Sequence, residues 1–131
     1  FYHIKTGENI LDNYENGLKI RELVIGKEAS QLVSDSLADI APLLNQKTLL
    51  VFDEADQRKT LNMKQREMIT ITALLTQGDT ASQLNIHIQG ALNVGVTRDE
   101  IVEIFIHCLS YVGFPRVLNA ISVAKQVFSN Q

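Results

Sequence analysis

Residues 61–95 read LNMKQREMITITALLTQGDTASQLNIHIQGALNVG, and the fold turns on them. Gly78-Asp79 divides the stretch into two runs, each with apolar residues at helical spacing. In the first run Met63, Ile71 and Leu74 form a stripe, and Glu67 falls on it. In the second, Leu84, Ala91 and Leu92 form the stripe, and His87 falls among them. Side chains three and four positions apart share a helix face. A carboxylate and an imidazole therefore both point where apolar side chains point. A lone ionisable group on an inner face is costly unless it is paired. Two antiparallel helices joined at Gly78 satisfy both groups at once, by setting Glu67 and His87 within hydrogen-bond reach of each other, about 2.6–3.2 Å or through one water.

Working outward, Thr97-Arg98-Asp99-Glu100 opens the next helix with a Thr-x-x-Glu capping box. Its apolar face is Ile101, Val102, Ile104, Phe105, Leu109 and Val112, and Gly113 ends it. Pro115 suits the first turn of a last helix. There Val117, Leu118, Ile121, Val123, Ala124, Val127 and Phe128 make an apolar band too wide for one core. Upstream, residues 14–24 read as a helix with Leu18, Ile20 and Leu23 inward, stopped by Gly26. Residues 28–40 read as a second helix, with Leu32, Val33, Leu37 and Ile40 on one face. Pro42 interrupts or restarts it, and residues 43–52 form a third, short helix. The charged run DEADQRKT, residues 53–60, reads as a solvated loop or short turn, and residues 1–13 as an N-terminal arm. No segment alternates with period two for long. The expectation is an all-α fold, a bundle of six to seven helices forming a single domain over residues 14–131.

Composition narrows the function classes. Twelve Lys and Arg against 15 Asp and Glu give a net charge of −3, which does not recommend a nucleic-acid partner. No apolar run approaches the roughly 20 residues of a membrane-spanning helix, so no membrane partner is expected. The opening FYHIKTGENI does not read as a signal peptide. The single Cys108 excludes a disulfide within these residues and any CxxC pair. It fits a reducing compartment, and a cytoplasmic location is the expectation.

These residues carry a resemblance. The run REMITITALLTQGDTASQLNIHIQGALNVGVTRDEIVEIFIHCLSYVGFPRVLNAISVAKQVF resembles the carboxymuconolactone decarboxylase family, and the upstream NYENGLKIRELVIG is similar to the helix that opens many members. HIQGALNVGVTRDEI and YVGFP with its following LNA are the specific segments. The resemblance implies the all-helical fold shared with alkylhydroperoxidase D proteins. It also implies a homo-oligomer, a hexamer or a trimer, acting on a small-molecule substrate.

The family divides by chemistry. Its peroxidase members carry Glu, then CxxC, then a His four residues after the second Cys. Glu67 and His87 match the Glu and the His. Counting back from His87 puts Gln83 and Thr80 at the cysteine positions, and counting forward from Glu67 puts Asp79 and Ser82 there. Neither frame supplies a thiol, and dithiol peroxide reduction needs both an attacking and a resolving sulfur. What remains resembles the decarboxylase branch, whose reaction takes carbon dioxide from 4-carboxymuconolactone and requires no metal or organic cofactor. The resemblance implies His87 as acid/base, being near neutrality in pKa as a residue type, with Glu67 orienting it. Thr80, Gln83, His107 and Tyr111 are candidate substrate-binding residues. Each has a plainer role: Thr80 and Gln83 also spell a capping box ahead of Leu84, while His107, Cys108 and Tyr111 suit packing. Arg116 suits either a substrate carboxylate or solvent. A non-catalytic, small-molecule-binding oligomer of the same fold is the competing reading.

Overall fold

A computed structural model describes residues 9–131. Among the described residues there are seven α-helices and no strand: α1 (Ile10–Ile25), α2 (Lys27–Ala38), α3 (Pro42–Gln57), α4 (Met63–Gln77), α5 (Ala81–Asn93), α6 (Arg98–Val112) and α7 (Phe114–Ser129). The chain divides between Leu61 and Asn62 into two compact units.

The first unit holds α1, α2 and α3, and here the sequence reading needs several corrections. Residues 1–8 of the expected arm lie outside the described residues. Residues 10–13 are helical, because the Asn9 side chain accepts from the Leu11 N–H at 3.0 Å and caps α1 four residues earlier than expected. Leu18 and Leu23 are exposed, as are Leu32 on α2 and Ile40, which lies in the turn beyond the end of α2 at Ala38. Ile20 is inward as expected, and Gly17, Arg21 and Val24 complete the inner stripe of α1. Gly17 is required by a close approach to α3: a Cβ there would stand 1.9 Å from the Leu49 carbonyl oxygen.

Arg21 is 1 % exposed, and all five of its N–H groups are used. Nε donates to Ser30 Oγ at 2.7 Å, Nη1 to Asn45 Oδ1 and Thr48 Oγ1 at 2.8 and 2.9 Å, and Nη2 to Ser34 Oγ and the Ser30 carbonyl at 2.6 and 3.0 Å. One side chain thus ties α1 to both α2 and α3. Burial pulls the guanidinium pKa below its ordinary value, with Glu22 opposing.

The charged run at residues 53–60 is a loop only from Arg58 onward. α3 continues through Gln57, and Asp53 is 3 % exposed. Its carboxylate accepts from Asn16 Nδ2 at 2.8 Å and Gln57 Nε2 at 2.7 Å, which offsets its desolvation.

The second unit holds α4 to α7 around one core. Ile71, Ile88, Ala91, Ile101 and Phe105 are fully excluded from solvent there. A buried side chain of the Ile or Phe kind contributes about 1.5–3 kcal/mol. The expected Thr97–Glu100 capping box opens α6, with bonds of 3.1 and 2.9 Å. A second box, Asn62 with Gln65, opens α4. Gly113 ends α6 and Pro115 lies in the first turn of α7. The turn between α4 and α5 takes two residues into the left-handed region, Gly78 at φ 72° and Asp79 at φ 53°. Glycine tolerates this freely; Asp is among the few other residues that visit it. No helix among the described residues is long and apolar enough to cross a membrane.

Candidate active site

α4 buries Glu67, Ile71 and Leu75, a stripe at spacing four. Met63 and Leu74, expected on that stripe, are half-buried. α5 buries Leu84, Ile88 and Ala91, with His87 beside them and half-buried. The turn at Gly78 folds α5 back along α4 and brings the two ionisable groups together. Glu67 Oε2 and His87 Nδ1 are 2.8 Å apart. The Glu67 side chain retains 6 % of its exposure and that of His87 23 %. The carboxylate is thus the sequestered partner and the imidazole the one that reaches solvent. When the ring is protonated the contact becomes a charge-assisted hydrogen bond, the stronger kind.

The other sequence candidates lie elsewhere in this unit. Thr80 is the N-cap of α5, but its side chain does not cap that helix. Its hydroxyl donates instead to the Leu74 carbonyl at 2.5 Å, satisfying one of the free carbonyls at the end of α4. The expected Thr80–Gln83 capping box is therefore absent. The left-handed Asp79 leaves Thr80 at φ −121°, ψ 28°, away from the extended conformation that a side-chain cap needs. Gln83 is exposed, as are Asp79 and Ser82 of the alternative frame. His107 and Tyr111 are exposed on α6, their rings 5.8 Å apart and Tyr111 79 % exposed. Among the described residues no hydrogen bond joins Gln83, His107 or Tyr111 to the Glu67–His87 pair.

Cys108 is buried, and burial pushes its thiol pKa up. It borders an apolar groove of about 570 Å³ between α4 and α6, lined also by Met68, Ile69, Thr72 and His107. Arg116 is exposed and lies over the α4–α5 turn, where a Cβ at Gly78 would meet its Nε at 3.2 Å. With Thr80, Asn119 and Gln126 it lines a crevice of about 370 Å³. Sequence reading weighed Arg116 as a carboxylate binder or a solvated residue but gave no sign of this packing. The contact joins residues 38 apart in sequence, 78 and 116. The described residues include no cluster of three or more His, Cys, Asp or Glu placed to hold a metal ion.

The sequence model of the carboxymuconolactone decarboxylase family matches residues 44–126, which include both Glu67 and His87. The chain is 30 % identical over 118 residues to a protein named 4-carboxymuconolactone decarboxylase from Acinetobacter baylyi, covering 89 % of this chain and 87 % of that one. It is 30 % identical over 121 residues to a nitrosuccinic acid decarboxylase from Metarhizium robertsii, covering 89 % and 82 %. A 15.0 kDa uncharacterized protein from Paracoccus denitrificans is 31 % identical over 81 residues, 61 % of this chain and 60 % of that one.

Proposed function

The chain belongs to the carboxymuconolactone decarboxylase family, and from that premise we propose that it is a carboxy-lyase using His87 as acid/base and Glu67 as the group that orients it. The substrate on this reading is a small acid whose departing carboxylate sits next to an electron-accepting group, a carboxylated lactone being the first choice. The observation that carries the proposal is the 2.8 Å hydrogen bond between a buried carboxylate and a partly open imidazole. The two decarboxylase names among its relatives support the reaction class.

The chemistry balances without a cofactor. The bond between the carboxylate and the substrate carbon breaks, its electron pair flows into the accepting group, and carbon dioxide leaves. The resulting enolate is protonated on carbon. Because Nδ1 of His87 is engaged by Glu67, the proton comes from Nε2, and solvent then restores it. One proton is consumed for each carbon dioxide released. Glu67 holds the ring in place and stabilises the imidazolium between turnovers.

The test is direct. Purified protein is offered 4-carboxymuconolactone and nitrosuccinic acid, and released carbon dioxide is measured alongside proton uptake in weak buffer. Stoichiometric release that His87→Gln abolishes supports the proposal. Release equal to the uncatalysed rate with both acids removes the assigned substrate class.

We also propose that the chain works as a homo-oligomer, a hexamer or trimer. Ile106, Tyr111, Phe114 and Leu118 are all more than half exposed along α6 and α7, an apolar surface of the kind that subunit contacts cover.

A further inference from the structure

The wide apolar band on α7 leaves a second surface that the Glu67–His87 pair does not use. Val102 of α6 and Ile121, Ala124 and Phe128 of α7 line a shallow groove of about 410 Å³ together with Arg98 and Lys125. Ala124 is buried, the other three apolar residues are half-buried, and the two cations are exposed. The groove thus has an apolar floor and a cationic rim. The Arg98 guanidinium lies 5.2 Å from the centre of the Phe128 ring and donates to the Phe128 carbonyl at 3.4 Å, which holds it over the floor. Neither Arg98 nor Lys125 is ion-paired among the described residues. No carboxylate among the described residues lines the groove, although the chain as a whole carries a net charge of −3.

We propose that this groove binds a small amphiphilic monocarboxylate, with its tail on Val102, Ile121 and Phe128 and its head between Arg98 and Lys125. The volume lies within the range of small-molecule sites, about 300–1,000 Å³. Two unpaired cations beside an apolar floor complement an anion that carries its own apolar body. A bare anion gains only the exposed cations, whose attraction water and salt screen. An uncharged amphiphile gains only the floor.

The test is a titration of the full chain, followed by NMR at the Val102, Ile121 and Phe128 resonances. Octanoate is the probe; octanol and acetate represent its two halves. Octanoate should saturate these shifts at a Kd of about 1 mM or tighter, with octanol and acetate each at least several-fold weaker. Lys125→Gln, which breaks no side-chain hydrogen bond among the described residues, should weaken octanoate about two- to fivefold and leave octanol unchanged. Lys125→Arg should restore it. Octanol binding as tightly as octanoate, indifference to Lys125→Gln, or no saturation with octanoate would overturn the assignment. So would shifts of the same resonances that follow protein concentration with no probe present, since a second copy would then occupy the groove.

Discussion

The Glu67 carboxylate meets the Nδ1 atom of His87, not Nε2, at 2.8 Å. On the proposed mechanism that choice of nitrogen divides the ring's duties: Nδ1 is spent on orientation, and Nε2 is left for proton transfer.

Substitutions at His87 should separate these duties. Asn at this position approximates Nδ1 and can still bond Glu67, whereas Gln approximates Nε2. Neither exchanges protons near neutrality, so both variants should lose at least about a hundredfold in kcat if the ring is the acid/base. Glu67→Gln keeps the shape and removes only the charge, so it should cost less than either. Steady-state decarboxylation assays on folded, assembled variants make the comparison. Full activity in His87→Asn would mean that the chemistry lies elsewhere.

Gly17 and Leu49 make a stability prediction for the first unit. A methyl group added at Gly17 would collide with a backbone carbonyl oxygen, which cannot rotate out of the way. Gly17→Ala should therefore separate α1 from α3 and cost about 1–3 kcal/mol or more, read as a lower urea midpoint. A midpoint equal to or above that of the wild type would show that the helices give way without penalty.

Glu100 carries a pH dependence. The Thr97 N–H donating to its carboxylate at 2.9 Å lowers its pKa, and the Thr97 hydroxyl and Lys64 add to this against some desolvation. Because the folded value lies below the unfolded one, the carboxylate's contribution is complete above the ordinary range near about 4.3 and is lost as pH falls through the lowered value. Glu100→Gln keeps the capping geometry without the charge. The melting-temperature gap between wild type and variant should hold steady from neutral pH to about 5 and narrow below it. A gap that widens on acidification contradicts this.

Cys108 should be chemically quiet. Its thiol is buried and its pKa is raised, so little thiolate forms at neutral pH. Iodoacetamide should modify the native protein far more slowly than the urea-unfolded chain. Cys108→Ala should leave turnover intact, and no thiol-dependent peroxidase activity should appear. Loss of turnover in a folded Cys108→Ala variant would place the sulfur in the mechanism.

Light scattering tests the assembly. At micromolar concentration the mass should be a multiple of the 14.6 kDa chain, and Leu118→Asp should shift it toward the monomer. A monomeric wild type refutes the proposal.

The second unit was legible in the sequence because its signals agree. Helices α4 to α6 are bounded by glycines, turns and capping residues, and their apolar residues recur at helical spacing, so Met63–Gln77, Ala81–Asn93 and Arg98–Val112 fall where the pattern puts them. The Glu67–His87 contact followed from stripe positions and the turn between them. Thr80 was misread because Thr-x-x-Gln names a motif without naming the backbone that enables it; Asp79 upstream decides that. The first unit was read less well for a different reason. Arg21 and Asp53 look like surface residues, and pattern reading turns charge outward. What draws them inside are neutral partners 4 to 37 positions away, Gln57 the nearest to its charged residue and Asn16 the farthest. No local period registers such pairs.

The guanidinium of Arg21 also bears on how this chain can change over generations. Its five N–H groups end on uncharged oxygens spread over Ser30, Ser34, Asn45 and Thr48, so no single residue is its counterion. Replacing one acceptor alone strands a donor in a dry site, at about 1–3 kcal/mol. Replacing Arg21 alone strands the acceptors. Only a concerted exchange for apolar side chains of similar volume avoids both losses. Every one-residue change that removes a hydroxyl, the amide or the guanidinium from the cluster therefore runs through a less stable protein. Apart from exchanges between Ser and Thr, positions 21, 30, 34, 45 and 48 should be inherited as a block, varying together among descendants of this chain or not at all.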